Sequence, residues 1–114
     1  MISRWIKNNS LRQKIKKRGL IFGVNTNIIS TQLIEIFCIA GFDFIIFDIE
    51  HSALTIDKLE NLITIAKMRK ITPLVRIPEI NASLISRILD IGCMGIMAPR
   101  VEQQRERNEL NKVF

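Results

Sequence analysis

Asp48, Glu50 and His51 stand together where an apolar run ends, Arg76 is set inside a second apolar run, and Asp90 closes a third segment. Histidine exchanges a proton near neutral pH, and a neighbouring aspartate can orient its ring. A guanidinium holds a carboxylate or a developing oxyanion through two parallel hydrogen bonds. Such a set can remove a proton next to a carbonyl and hold the resulting enolate. Each residue also has a reading without function. His51, the chain's single histidine, could be a loop residue with no role. Arg76 could be consumed by an ion pair with Asp48 or Asp90. Asp90 falls in the last turn of a helix, where the dipole disfavours a negative charge, and Arg87 three residues back could bridge it.

The elements that must position these residues are marked by two alternating periodicities. Leu20 to Val24 is a short apolar run that predicts a first strand, with Asn25-Thr-Asn27 as its loop. Ser30 or Thr31 can cap a helix whose face carries Leu33, Ile36, Phe37 and Ala40, with Gly41 as the stop. Phe44 to Ile49 is apolar at almost every position, which predicts a strand buried on both faces of a parallel sheet. A second helix starts from Thr55, with Ile56, Leu59, Leu62, Ile63 and Ala66 as its stripe. Asp57 in its first turn and Lys67, Arg69 and Lys70 near its end suit the helix dipole.

Pro73-Leu-Val-Arg-Ile-Pro78 predicts a short strand bracketed by prolines. Asn81 can cap a third helix that buries Leu84, Ile85, Ile88 and Leu89 and closes at Gly92, and Met94 to Ala98 predicts a fourth strand. The order is strand and helix, repeated, which predicts an α/β fold. Four such units match the N-terminal half of a (β/α)8 TIM barrel, whose usual size is about 250 residues. Glu102 to Phe114 then reads as an incomplete fourth helix. A small flavodoxin-like sheet is the alternative.

Charge divides the chain into residues 1–18, a basic arm or helix, and residues 19–114, the partial barrel. Of 17 basic residues seven lie in the first 18 positions, where there is no acidic residue, leaving ten against eleven acidic side chains in the remainder. An acid-free helix with Trp5, Ile6, Leu11 and Ile15 against the body explains the arm better than nucleic-acid binding does. The hydrophobic share of 47% argues against disorder, and no uncharged apolar run is long enough for a membrane span. Cys38 and Cys93 have no metal-ligand spacing, so both are expected to be buried small side chains in a reducing, cytoplasmic setting.

Gly41-Phe-Asp43 followed by Asp48-Ile-Glu-His51 resembles the signature of the HpcH/HpaI aldolase family. Pro73-Leu-Val-Arg-Ile-Pro78, Ile88-Leu-Asp-Ile-Gly92 and Gly95-Ile-Met-Ala-Pro-Arg-Val101 resemble its next three blocks, in the same order and at similar spacing. The resemblance covers roughly Leu11 to Val101 and implies a class II, metal-dependent aldolase, a carbon–carbon lyase. Such enzymes cleave or form a bond between pyruvate and an aldehyde, on substrates such as 2,4-dihydroxyhept-2-ene-1,7-dioate or 2-keto-3-deoxy sugar acids.

By position the resemblance makes His51 the catalytic base, Asp90 its paired aspartate, and Arg76 the catalytic residue that contacts pyruvate and stabilises the enolate. Asn25 takes a substrate-pocket position where the family has an aromatic residue. The resemblance implies a divalent cation, Mg²⁺ or Mn²⁺, whose glutamate and aspartate ligands lie on later strands beyond Phe114. The expectation is therefore the N-terminal half of such an enzyme, truncated or one piece of a split protein, which self-associates or binds a complementary C-terminal half. An inactive remnant and a basic-arm nucleic-acid-binding protein are the alternatives.

Overall fold

The computed structural model describes residues 10–50, 54–99 and 104–113. Helix α1 (Ser10–Arg18) precedes four repeats of strand and helix: β1 (Gly23–Thr26), α2 (Thr31–Ile39), β2 (Phe44–Asp48), α3 (Ile56–Met68), β3 (Thr72–Arg76), α4 (Ala82–Asp90), β4 (Ile96–Met97) and α5 (Gln104–Val113). The strands lie in one sheet in the order β1-β2-β3-β4, and every neighbouring pair is parallel. Each connecting helix therefore carries the chain back from the carboxyl end of one strand to the amino end of the next.

Local signals set the helix starts. Ser30 accepts the N–H of Leu33, Thr55 that of Lys58 and Asn81 that of Leu84, so each helix opens on a side-chain cap. After α2 and α4 the chain turns through Gly41 (φ +88°) and Gly92 (φ +107°), a conformation that costs glycine little. The exit of α3 uses Lys70 instead, at φ +61°.

Register divides the sheet into two faces, because partners on adjacent strands point to the same side. Val24, Ile45 and Pro73 form one row and Thr26, Phe47, Val75 and Ile96 the next on the same side. Ile45, Phe47 and Val75 pack there with Ile34, Leu59, Ile63, Ile85 and Ile88 of the helices in one core cluster. The opposite face carries Gly23, Phe44 and Thr72, then Asn25, Ile46 and Leu74, then Asp48, Arg76 and Met97. Ile46 is buried yet belongs to no part of the helix-side core.

Glycine makes room on that second face. A Cβ on Gly23 would come within 2.1 Å of the Phe44 ring, and one on Gly95 within 2.7 Å of Leu74 Cδ2. The large side chains of one strand thus lie across the bare backbone of the next.

The first strand departs from expectation. It covers Gly23–Thr26, so Asn25 is a strand residue and Leu20 and Phe22 are 60% exposed. The apolar run mispredicts it because pairing starts where Gly23 meets Phe44. Asp43 organises the approach: its N–H donates to the Phe22 carbonyl at 2.6 Å, and its carboxylate accepts the Phe22 N–H at 2.9 Å. Arg18 reaches both Asp43 oxygens at 2.7 Å, and Lys14 lies 3.4 Å away. Two charges of the basic helix are therefore used to anchor it at the amino end of β2. Asp43 is buried, and the Phe22 amide first, then Arg18, hold its carboxyl below the usual aspartate value against the opposing effect of burial.

The cysteines differ from each other. Cys93 is fully buried and donates to the Gly95 carbonyl, and burial pushes its thiol up to about 12. Cys38 is only half-buried, where its thiol donates to the Arg69 carbonyl at 3.4 Å. The expectation that both are buried fails for Cys38, because it sits toward the rim of the α2–α3 contact. No helix among the described residues is long and apolar enough to cross a membrane.

Candidate functional site

The carboxyl ends of β2 and β3 bring together a cationic side chain and two acidic ones. Asp48 and Arg76 are register partners and the last residues of their strands. Arg76 Nη2 donates to Asp48 Oδ2 at 2.5 Å, and the Arg76 Nε lies 3.3 Å from Glu50 Oε2. Asp48 Oδ1 accepts the Glu50 N–H at 2.8 Å, so one carboxylate turns the chain at the strand end and orients the arginine. The hydrogen bond that Arg76 donates to Asp48 raises its already high pKa, with burial opposing.

The guanidinium is incompletely satisfied. Its Nε is buried without a hydrogen bond, since Glu50 sits beside it outside hydrogen-bonding alignment. Its Nη1 has no partner among the described residues. The arrangement holds a planar donor rigidly at a strand end with capacity left for a further oxygen, and it keeps Arg76 charged at any accessible pH.

Arg76 lines an open cleft of about 710 Å³ that runs between the strand ends and α5, with Glu50, Glu79, Met97, Arg105 and Glu109 also on its walls. Ligand sites typically have volumes of about 300–1,000 Å³. The Glu79 carboxylate and the Arg105 guanidinium are exposed. Nothing in the sequence marked Arg105 or Glu109, because they sit in a segment that reads only as a polar helix.

Of the residues singled out by sequence, Asp48, Glu50 and Arg76 meet. His51 lies outside the described residues. Asn25 is exposed on the same sheet face as Asp48 and Arg76, one row nearer the amino end. Asp90 does not join them. It is the exposed last residue of α4, at the amino end of the sheet, whereas Arg76 ends β3 at the carboxyl end. Among the described residues neither Arg76 nor Arg87 pairs with Asp90; Arg76 pairs with Asp48 and Glu50.

A divalent ion has no visible ligand set here. Among the described residues no three histidine, cysteine, aspartate or glutamate side chains converge to hold one. The nearest carboxylates, Asp48 and Glu50, are both turned onto Arg76.

Comparison with known proteins agrees with this architecture. A hydroxypyruvate/pyruvate aldolase of Roseobacter denitrificans is 28% identical over 102 residues, 90% of this chain and 40% of that protein. A 2-keto-3-deoxy-L-rhamnonate aldolase of Klebsiella pneumoniae is 30% identical over 107 residues, 90% of this chain and 40% of that protein. The crystal structure of an HpcH/HpaI aldolase from Desulfitobacterium hafniense superposes with a TM-score of 0.80 at 32% identity, over 87% of this chain and 39% of that one. The chain thus spans about two fifths of the length of the relatives it matches, in keeping with four βα units of a (β/α)8 barrel. The HpcH/HpaI aldolase/citrate lyase model matches residues 22–114, helix α1 aside nearly the whole described fold, and the chain belongs to that family.

Proposed function

We propose that this chain supplies the 2-oxo-acid-binding part of a class II aldolase that makes or breaks the bond between pyruvate and an aldehyde. The observation that carries the reading is Arg76, fixed by Asp48 and Glu50 at the strand ends with donor capacity to spare. In this reading the free Nη1 binds an oxygen of pyruvate and stabilises it as the enolate forms. His51, which follows directly on Glu50 in the sequence, takes the proton beside the carbonyl. Asn25 contacts the substrate from the neighbouring row of the same sheet face.

Asp90 serves His51 in this scheme only from a neighbouring copy, since within one copy it stands at the far end of the sheet. The Mg²⁺ or Mn²⁺ ion implied by the family finds its ligands in polypeptide outside the described residues. The same polypeptide covers the second sheet face and the open edges of β1 and β4, whether it belongs to this protein or to a partner.

The test is retro-aldol release of pyruvate from a 4-hydroxy-2-oxo acid, followed with Mg²⁺ or Mn²⁺, by this chain alone and in the presence of the remaining barrel polypeptide. Release by the assembled barrel, lost on Arg76→Ala, supports the assignment. No release under either condition overturns it.

A further inference from the structure

The two poles of the sheet differ in charge and in exposed apolar surface. Each connecting helix runs back along the sheet, so its last turn lies at the amino ends of the strands. Ile39 and Met68 are the last residues of α2 and α3, and at 87% and 76% they are the most exposed large apolar side chains among the described residues. Leu20 and Phe22, each 60% exposed, approach the same pole between α1 and β1. Helix α1 is held there by Lys14 and Arg18 on Asp43, and its other cations are left over. The side chains of Lys16 and Lys17 in its last turn, and of Lys70 just past α3, are exposed and make no ion pair or hydrogen bond among the described residues. Of the acids near this pole, Asp43 is buried under its two cations and Glu35 is bridged to Arg69, which leaves Asp90 at the end of α4, one turn from Arg87. Carboxylates gather at the opposite pole, with Glu50, Glu79 and Glu109 on the cleft walls and Asp57 in the first turn of α3.

We propose that the amino pole docks on the surface of an anionic lipid bilayer, with Lys16, Lys17 and Lys70 among the headgroups and Leu20, Ile39 and Met68 inserted between them. Charge complementarity selects the surface, since each lysine near anionic headgroups favours binding by about fivefold. The apolar tips select lipid over nucleic acid. Ile39 and Met68 can enter the headgroup layer, but they offer no ring on which a base could stack. The cleft at Arg76 lies at the other pole and stays open to solvent when the amino pole is docked, so the inference stands apart from the aldolase reading.

Sedimentation of the chain with lipid vesicles tests the proposal. Phosphatidylcholine vesicles carrying about 30% phosphatidylserine are expected to bind it at about 0.1 M salt and to lose most of it at about 1 M. Vesicles of phosphatidylcholine alone are expected to leave it in solution. Lys16→Gln with Lys17→Gln is expected to weaken partitioning about 25-fold, and Ile39→Ser with Met68→Ser at least about tenfold. Lys58→Gln makes the same change of net charge as Lys16→Gln, but in the first turn of α3 at the carboxyl pole. It is expected to leave binding within about twofold, whereas Lys16→Gln alone lowers it about fivefold. All of these side chains are exposed, and thermal melts verify that the variants fold.

Absence of binding to the phosphatidylserine vesicles overturns the proposal. So does equal loss from Lys16→Gln and Lys58→Gln, which would mean attraction by net charge alone. Binding that Ile39→Ser with Met68→Ser leaves unchanged also overturns it, because cations alone would then hold any polyanion and a single-stranded oligonucleotide would displace the vesicles. A concentration-dependent dimer in sedimentation velocity that the same two changes abolish, with no vesicle binding, would assign the pole to a second copy of the chain instead.

Discussion

Asp48 and Arg76 face each other as the last register pair of β2 and β3, and the carboxylate that grips the arginine also accepts the N–H of Glu50. One aspartate therefore fixes both the donor and the second acid beside it. The site is assembled by strand pairing, and the loop that follows inherits its starting direction from Asp48.

This arrangement requires the shape of a guanidinium as well as its charge. Lysine at position 76 would keep the charge but could not hold Asp48, face Glu50 and offer a third nitrogen at once. Arg76→Lys is expected to lose about 10²-fold or more in kcat/KM for pyruvate release by the assembled barrel, close to the loss for Arg76→Ala. Steady-state kinetics of the two variants decides the point. A lysine variant near wild-type activity would remove the need for the fork.

Asp43 does the corresponding work at the opposite end of β2. Its folded pKa lies below the ordinary value of 3.8, mainly through the Phe22 amide and Arg18. A depressed carboxyl contributes stability above its unfolded value and loses it as pH falls through the lower folded value. Asp43→Ala is expected to cost about 1–3 kcal/mol at pH 7, the range for an acceptor removed from a buried N–H. The difference from wild type should shrink below about pH 3.8. Urea unfolding at pH 7, 4 and 3 measures it, and a difference independent of pH would mean that the carboxylate charge is not what Asp43 contributes.

The alternation of apolar runs and capped helices placed four βα units, and the side-chain caps Ser30, Thr55 and Asn81 fall where the spacing puts them. The sequence misplaced β1 because hydropathy registers burial, whereas a strand's limits depend on what its neighbour pairs with. Leu20 and Phe22 are apolar but exposed, and Asn25 is polar but paired with Ile46. Arg76 stood out because charge interrupts an apolar strand. Glu50 stood out only as one of the charges that end the strand, and its place beside Arg76 was not legible, because the Asx turn at Asp48 is what brings it alongside. Arg105 and Glu109 gave no signal at all in a segment where almost every residue is polar.

The two thiols should separate cleanly in reactivity. Thiolate is the reacting form, and Cys93 combines full burial with a pKa of about 12. Cys38 is half-buried. An aromatic disulfide reagent at pH 8 is therefore expected to modify Cys38 in the folded chain and Cys93 only after denaturant is added, with peptide mapping by mass spectrometry identifying the site. Early modification of Cys93 would show that the β3–β4 end of the sheet opens readily.

Gly23 tests how tightly the second sheet face is packed. Its φ falls outside the left-handed range, so alanine meets no backbone strain there, and the effect of substitution is one of space alone. The added Cβ would sit 2.1 Å from the Phe44 ring, closer than any real contact, so the ring must leave its place over β1. Gly23→Ala is expected to destabilise by about 1–3 kcal/mol, the usual cost of overpacking. Phe44→Leu removes the obstructing ring, so in the double variant the alanine should cost much less than it does alone. A double-mutant cycle from urea unfolding reads the coupling directly, with about 0.5–3 kcal/mol typical of residues in contact. Additive effects would mean that Phe44 leaves freely. The face would then be a loose surface, poorly suited to seat the rows of side chains that a closed barrel would bring against Ile46 and Leu74.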